Sequence, residues 1–476
     1  MGESGTRQAG AGRQWVRTVV FVVGMTCFWP CVQAHPYQVV ISQYLALTGG
    51  WGRSFFSVGI SVALAIVAVV LGFTKVGAGT CGALGTGIAG ACGFLAVELA
   101  PLTGGGVLRL VVSALGCCAI AYGVVGLLLG WGRAAVSSAD DGRLLGSLVS
   151  FGCYELIDLV ATLADVSIGP AVVLFPLVSG VCLQALAGTS VPERRLRRDA
   201  LRKIPWGLMG AGALFVLLDN LFVKVLNIQS NGASGASRVA RIVIVLVAVI
   251  CVAWYLRAVR ITPTSILSVF IACFVLYIMG LLITLLHFNL SSAFENQVWV
   301  AAGVVLKMFL WLMCAYYARR ERLSVRGIFA FYAIGLVALP FAVSLDMRTD
   351  GGLAAFLARV DNISIIGEVL FFVVAVAIIG AMALQLLGTT KNRLRDEESR
   401  EADRVQRALA GFEMTDREIE VAGLACSGMS AKRIAEQLSL SEFTVNNHLA
   451  HIYRKLGVHS KQDLMAYVKD YGRHAS

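Results

Sequence analysis

Charge is scarce in this chain of 476 residues: 14% of it is Asp, Glu, Lys or Arg, against 57% apolar residues. An ordinary soluble domain is roughly 25% charged and about 45–50% apolar. That imbalance excludes a wholly water-soluble protein, because so much apolar surface cannot be hidden in one core. Zinc-type ligand spacing is also missing. The 12 cysteines form no CxxC pair and no Cys/His cluster, so a structural zinc site is excluded. Eleven of them lie in or beside hydrophobic segments, where cysteine packs as a small apolar residue, and Cys426 lies in the tail. Cys27 and Cys31, one helical turn apart, are the pair for which a metal or redox role can be weighed against packing. A phosphate-binding glycine loop, a nucleophile triad and an acidic receiver domain are absent as well. The chain is therefore read as a non-enzyme without a cofactor, and phosphorylation control of the response-regulator kind has no module to act on.

What the sequence has instead is a succession of hydrophobic runs of about 20 residues, the length that crosses a bilayer. They begin near residues 15, 54, 76, 107, 144, 168, 205, 238, 264, 297, 327 and 363, which predicts about twelve spans. Residues 144–186 are divided into two spans by a turn at Asp165 to Gly169, since one helix of that length would overshoot the membrane. The formal net charge is +11, but from Lys391 onward 14 Lys+Arg face 13 Asp+Glu, so the basic excess belongs to the membrane part. With a cytoplasmic N-terminus, the inner loops collect Arg13, Arg17, Lys75, Arg133, Arg143, the cluster Arg194 to Lys203, Arg257, Arg260 and Arg319 to Arg326. The outer loops keep Arg53, Arg109, Arg238, Arg241, Arg348 and Arg359, a ratio of about three to one. An even number of spans returns the tail to the cytoplasm. Arg13, Arg17 and Val32-Gln33-Ala34 also fit a cleaved signal peptide, but the bulky approach Trp29-Pro30-Cys31 favours an uncleaved first helix.

The basic loop from Pro192 to Lys203 divides the membrane region into two sets of six spans. That layout resembles the major-facilitator architecture of two six-helix bundles. Residues Gly72 to Gly77 lack the acidic and paired basic residues that transporters of that superfamily carry between the second and third spans, which weakens the case for active transport. Ionisable residues at membrane depth are functional candidates by default. Here they are Glu98, Glu155, Asp158, Asp219, Lys224, Lys307 and Glu368. Glu155, Asp158, Lys307, Asp219 and Glu368 are taken as the ligand-sensing set, for a small molecule with both signs of charge or an acidic one meeting Lys307. The alternative is that these charges pair with one another as structural glue.

After Leu387 the composition changes. Residues 389–411 contain KNRLRDEESREADRVQ, alternating in charge, read as a solvated helix or flexible tether. From Phe412 the pattern is four short helices. Thr415 and Glu418 form a capping box, with Ile419, Ala422 and Leu424 inward. Ser430 caps a second helix carrying Ile434 and Leu438. Ser441 caps a third with Val445, Leu449, Ile452 and Leu456 inward, Gly457 stops it, and Ser460 and Asp463 open a fourth.

Thr415-Asp416-Arg417-Glu418-Ile419-Glu420-Val421, Ala435 to Val445, His448 and Lys455-Leu456-Gly457-Val458 are similar to the LuxR (GerE-type) helix-turn-helix family. The resemblance implies that the third helix enters the major groove of double-stranded DNA. By position, Asn446, Asn447 and Ala450 would face bases, and Thr444, Arg454 and Lys455 phosphates. Lys432 and Arg433 would hold the backbone, with Ser441 and His448 completing the interface. Many relatives carry Lys where this chain has Asn446, which puts the usual base preference in doubt. From Phe412, 8 Lys+Arg balance 8 Asp+Glu, so a single copy has little nonspecific attraction to DNA, and the resemblance implies a homodimer on DNA.

The expected fold is all-α: a polytopic bundle over residues 1–388, a charged linker at 389–411 and a four-helix DNA-binding domain at 412–476. The expected function is a membrane-bound, bacterial one-component transcriptional regulator in the cytoplasmic membrane, its tail cytoplasmic. Its partners would be promoter DNA, the lipid bilayer, a second copy of the chain and a small-molecule ligand, with RNA polymerase a further candidate. The competing readings are a transporter with a fused DNA-binding domain, and an anchor that senses nothing.

Overall fold

The computed structural model describes the backbone of residues 2–32, 50–74, 82–104, 106–137, 142–166, 173–186, 235–259, 261–285, 292–320, 323–338, 405–409 and 411–474, with scattered positions at 209–216 and 373–388. Among these residues every regular element is helical. The chain divides into two compact units, Met1–Leu386 and Leu387–Ser476.

The first unit contains α1 (Gly2–Val32), α2 (Gly50–Phe73), α3 (Ala83–Leu99), α4 (Gly106–Val136), α5 (Gly142–Leu163) and α6 (Leu174–Leu186). It continues with α7 (Gly235–Val259), α8 (Pro263–Leu285), α9 (Ser292–Arg320) and α10 (Val325–Tyr332), which runs into a π-helical stretch, Ala333–Ala338. Among the described residues, six stretches are long and apolar enough to cross a membrane: Gln14–Val32, Ala83–Leu102, Gly106–Val136, Gly142–Leu163, Arg238–Val259 and Gln297–Arg320. The helices expected near residues 54, 168, 264 and 327 are present too, with shorter apolar stretches. Those expected near 205 and 363 lie largely outside the described residues. The break expected after the fifth span is real at its start: α5 ends at Leu163, and Asp165 adopts a left-handed backbone with φ 54°.

Two kinds of contact hold this bundle together. The first is close approach of small residues. A Cβ added at Gly123 on α4 would lie 2.5 Å from the Cα of Gly90 on α3, and one at Gly87 would lie 2.9 Å from the Cα of Gly180 on α6. Apolar surface gains little by leaving lipid for a protein neighbour, so helices in a bilayer associate through such tight backbone packing. The second is an aromatic chain. Trp29 on α1 meets Phe151 on α5 at 5.1 Å and Trp311 on α9 at 5.6 Å, and Trp311 meets Phe329 on α10 at 5.6 Å. Two indoles also find acceptors: Trp29 Nε1 donates to Ser150 Oγ at 3.0 Å and Trp131 Nε1 to Ser179 Oγ at 2.8 Å. On α9, 78% of the apolar stretch is buried, which makes it an interior helix. By contrast Val243, Val247, Ile250 and Trp254 form an exposed stripe along α7, as a lipid-facing surface requires.

The second unit holds α11 (Asp416–Cys426), α12 (Ala431–Leu438), α13 (Glu442–Leu456) and α14 (Lys461–His474). Val421, Ala422, Ala425, Ile434, Val445, Leu449, Ile452, Leu464 and Val468 are buried together. Ile419, Leu424, Leu438 and Leu456, expected inward, pack at its margin. Val405, Ala408 and Leu409, inside the segment read as linker, are also buried in this core. The charged stretch therefore contributes one apolar turn to the domain.

Candidate nucleic-acid interface

Local capping chemistry builds the interface. Thr415 Oγ1 accepts from the Glu418 N–H, and the Glu418 carboxylate accepts from the Thr415 N–H at 2.8 Å, closing the capping box that starts α11. Ser430 Oγ accepts the Arg433 N–H and starts α12. Ser439, at φ 52°, turns the chain between α12 and α13. Ser441 Oγ then accepts the Thr444 N–H at 3.0 Å, and the two hydroxyls lie 2.7 Å apart. Gly457, at φ 67°, ends α13 in the left-handed conformation that a side chain would strain.

Two basic residues lock the helices to one another. Arg417 donates to Glu420 at 2.6 Å and to the carbonyl of Leu438, the last residue of α12, at 2.8 Å. Lys455 Nζ donates to Glu418 Oε2 at 2.7 Å and to the carbonyl of Glu413 at 3.0 Å. Burial alone would raise the Glu418 pKa. The Lys455 hydrogen bond, both Thr415 donors and the Lys455 charge outweigh it and bring the carboxyl down to about 2. Lys455, expected on the DNA side, is exposed and at the same time ties α13 to the start of α11 through its ammonium.

The remaining candidates sort by the helical period. Val445, Leu449 and Ile452 form the buried stripe of α13. Asn447, Ala450 and Arg454 are exposed on the opposite side, and Asn446 is exposed on the flank. Lys432 and Arg433 are exposed at the start of α12, Ser441 is exposed at the start of α13, and Thr444 and His448 are half-buried flanks. One exposed residue escaped the sequence reading. Phe443, in the first turn of α13, is 75% exposed; its spacing to Asn447 and Ala450 was the available signal.

The sequence model described as "Bacterial regulatory proteins, luxR family" matches residues 413–468. The tail is a LuxR-type DNA-binding domain. The Fimbriae Z protein of Salmonella typhimurium (strain LT2) is 45% identical over 58 residues, 12% of this chain and 28% of that protein. The Transcriptional regulatory protein LnrK of Bacillus subtilis (strain 168) is 32% identical over 78 residues, 16% of this chain and 36% of that protein. The chain thus spans only 28–36% of the length of these relatives. The fold is similar to the crystal structure of a bacterial homologue of the iron transporter ferroportin in an outward-facing state. The TM-score is 0.51 at 13% identity, over 79% of this chain and 99% of that one. The protein therefore carries a LuxR-type domain on a chain whose fold is similar to that of the ferroportin homologue.

Inside the membrane unit, Glu155 and Asp158 are buried on α5 at 5% and 6% exposure. Asp158 Oδ1 accepts from Arg238 Nη2 on α7 at 2.8 Å. Arg238, expected in an outer loop, thus reaches a buried carboxylate at the start of its helix. Lys307 is half-buried on α9, and its backbone carbonyl accepts from the Tyr332 hydroxyl at 3.4 Å. Glu98 is half-buried on α3. Asp219, Lys224 and Glu368 lie outside the described residues. Among the described residues no cluster of three or more His, Cys, Asp or Glu is arranged to hold a metal.

Proposed function

We propose that this protein is a membrane-bound one-component transcriptional regulator, in which the helical bundle senses a small molecule or membrane state and controls DNA binding by the tail. The observation that carries this reading is the outward face of α13, where Asn446, Asn447, Ala450 and Arg454 stand free of the core on the same chain as a transporter-like bundle. In this reading Asn446, Asn447 and Ala450 meet base edges, while Lys432, Arg433 and Arg454 meet phosphates. Ser441 and Thr444 set the N-terminus of the helix against the backbone, and His448 flanks it. Lys455 is left to hold the domain together. With 8 basic and 8 acidic residues from Phe412 onward, one copy has little electrostatic pull, so occupancy depends on pairing of two tails.

The sensing half rests on charge at membrane depth. Glu155 is buried on α5 and Lys307 half-buried on α9, and these two are the groups proposed to meet a ligand, while Asp158 pairs with Arg238. A ligand shifts the pairing equilibrium only by its differential affinity for the two states. The test is a promoter reporter beside the full-length chain, with Glu155→Ala and Lys307→Ala at measured membrane abundance. Normal abundance with loss of the ligand-dependent response supports the reading, and an intact response at normal abundance refutes this sensing site. A reporter fused after Gly388 is expected to be active in a cytoplasmic format.

The second reading, a working transporter with an attached DNA-binding domain, is favoured by the extent of the likeness to the ferroportin homologue. Substrate accumulation in proteoliposomes separates the two.

A further inference from the structure

Viewed down α13, the buried residues Val445, Leu449 and Ile452 cluster on one side. At 100° per residue, Phe443, Asn447, Ala450 and Arg454 form the stripe most nearly opposite, and all four are exposed. Phe443 heads that stripe at 75% exposure. A large apolar ring held in water at the outermost position of the first turn has no part in the domain core, which is complete without it. Glu442, beside it in the first turn, suits the positive end of the helix dipole. In the major groove the apolar feature offered by a base pair is the thymine C5-methyl group, and a phenyl ring is a side chain that can contact it.

We propose that Phe443 reads thymine, packing its ring on a C5-methyl group next to the base contacted by Asn447. The inference rests on the DNA-binding reading above and deepens it. Asn447 supplies hydrogen bonds and Phe443 supplies an apolar contact that cytosine, which lacks the methyl group, cannot return.

The test uses the full-length protein in lipid nanodiscs. A random duplex library is selected for binding, and the enriched duplex is titrated beside copies in which each thymine in turn is replaced by deoxyuridine. Removing one buried methyl group is expected to weaken wild-type binding about fourfold at the contacted thymine and leave the other positions unchanged. Phe443→Ala is expected to bind the thymine and deoxyuridine duplexes equally at that position. Its thermal midpoint should match the wild type, because the ring lies outside the core. Wild-type binding indifferent to every replacement would overturn the proposal, as would a Phe443→Ala variant that keeps the discrimination. Weakened self-association with discrimination intact would assign the ring to a protein contact and also overturn it. Failure of the wild type to enrich any sequence would refute the DNA-binding reading itself, and this inference with it.

Discussion

Lys455, in the last turn of α13, donates to the buried carboxylate of Glu418 at 2.7 Å, across 37 residues of chain. One contact thereby joins the capping box of α11 to the end of α13. Lys455→Ala leaves a buried carboxylate with part of its partners removed, which costs about 1–3 kcal/mol. It is expected to lower the thermal midpoint of the tail. Arg454→Ala, one residue away and exposed, is expected to leave the midpoint unchanged and reduce the salt slope of DNA binding by about one. Equal midpoints for the two variants would contradict this division of labour.

Glu418 also makes the tail acid-sensitive in a defined window. Its carboxyl, normally at 4.5, is held near 2 in the folded domain. A depressed folded-state pKa stabilises the fold above the unfolded value, and that contribution drains away as pH falls through 4.5 toward 2. Chemical denaturation from pH 7 to pH 2 should show this loss in the wild type. Glu418→Gln should start less stable at neutral pH and show a shallower dependence in that window.

Asn446 and Asn447 are the residues proposed to carry specificity. Each alanine variant is expected to lose roughly 1–3 kcal/mol of operator affinity with little change in binding to unrelated DNA. Competition titrations against both duplexes measure the difference. Unchanged operator preference in both variants would remove this helix face from recognition.

Leu409 is fully buried with Val405 and Ala408 in the core of the tail, although it precedes the residues that match the LuxR family. Leu409→Ala is expected to destabilise the domain by about 2–5 kcal/mol, measured by denaturant unfolding followed in the tail. A neutral effect would show that this turn is dispensable and that the domain starts later.

Asp158 and Arg238 hold α5 against α7. Asp158→Asn leaves Arg238 without its carboxylate, and Arg238→Gln leaves a buried carboxylate, so each is expected to lower the amount of inserted protein. Exchanging the two (Asp158→Arg with Arg238→Asp) should restore much of it, because the attraction survives the reversal. Membrane fractionation of the three variants decides the matter; equal abundance in all of them would mean the pair carries no structural weight.

The membrane helices described here, the four helices of the tail and the face of α13 were legible in the sequence because each is a local property. A run of some 20 apolar residues satisfies its own backbone in lipid. Thr415, Ser430 and Ser441 cap the helices they precede, and Val445, Leu449 and Ile452 repeat at the helical period whatever they pack against. The tertiary structure decided what depends on residues distant in the chain. Lys455 reads as a surface lysine until Glu418 is brought beside it, and Arg238 as a loop charge until α7 lies on α5. Val405 and Leu409 read as part of a charged tether until the core closes over them. Partners of a buried charge are chosen by which helices meet, and a periodicity within one helix carries no record of its neighbour. Sequence therefore determined that this chain spans a membrane and ends in a DNA-binding module, and the packing alone determined which of its charges face outward and which hold it together.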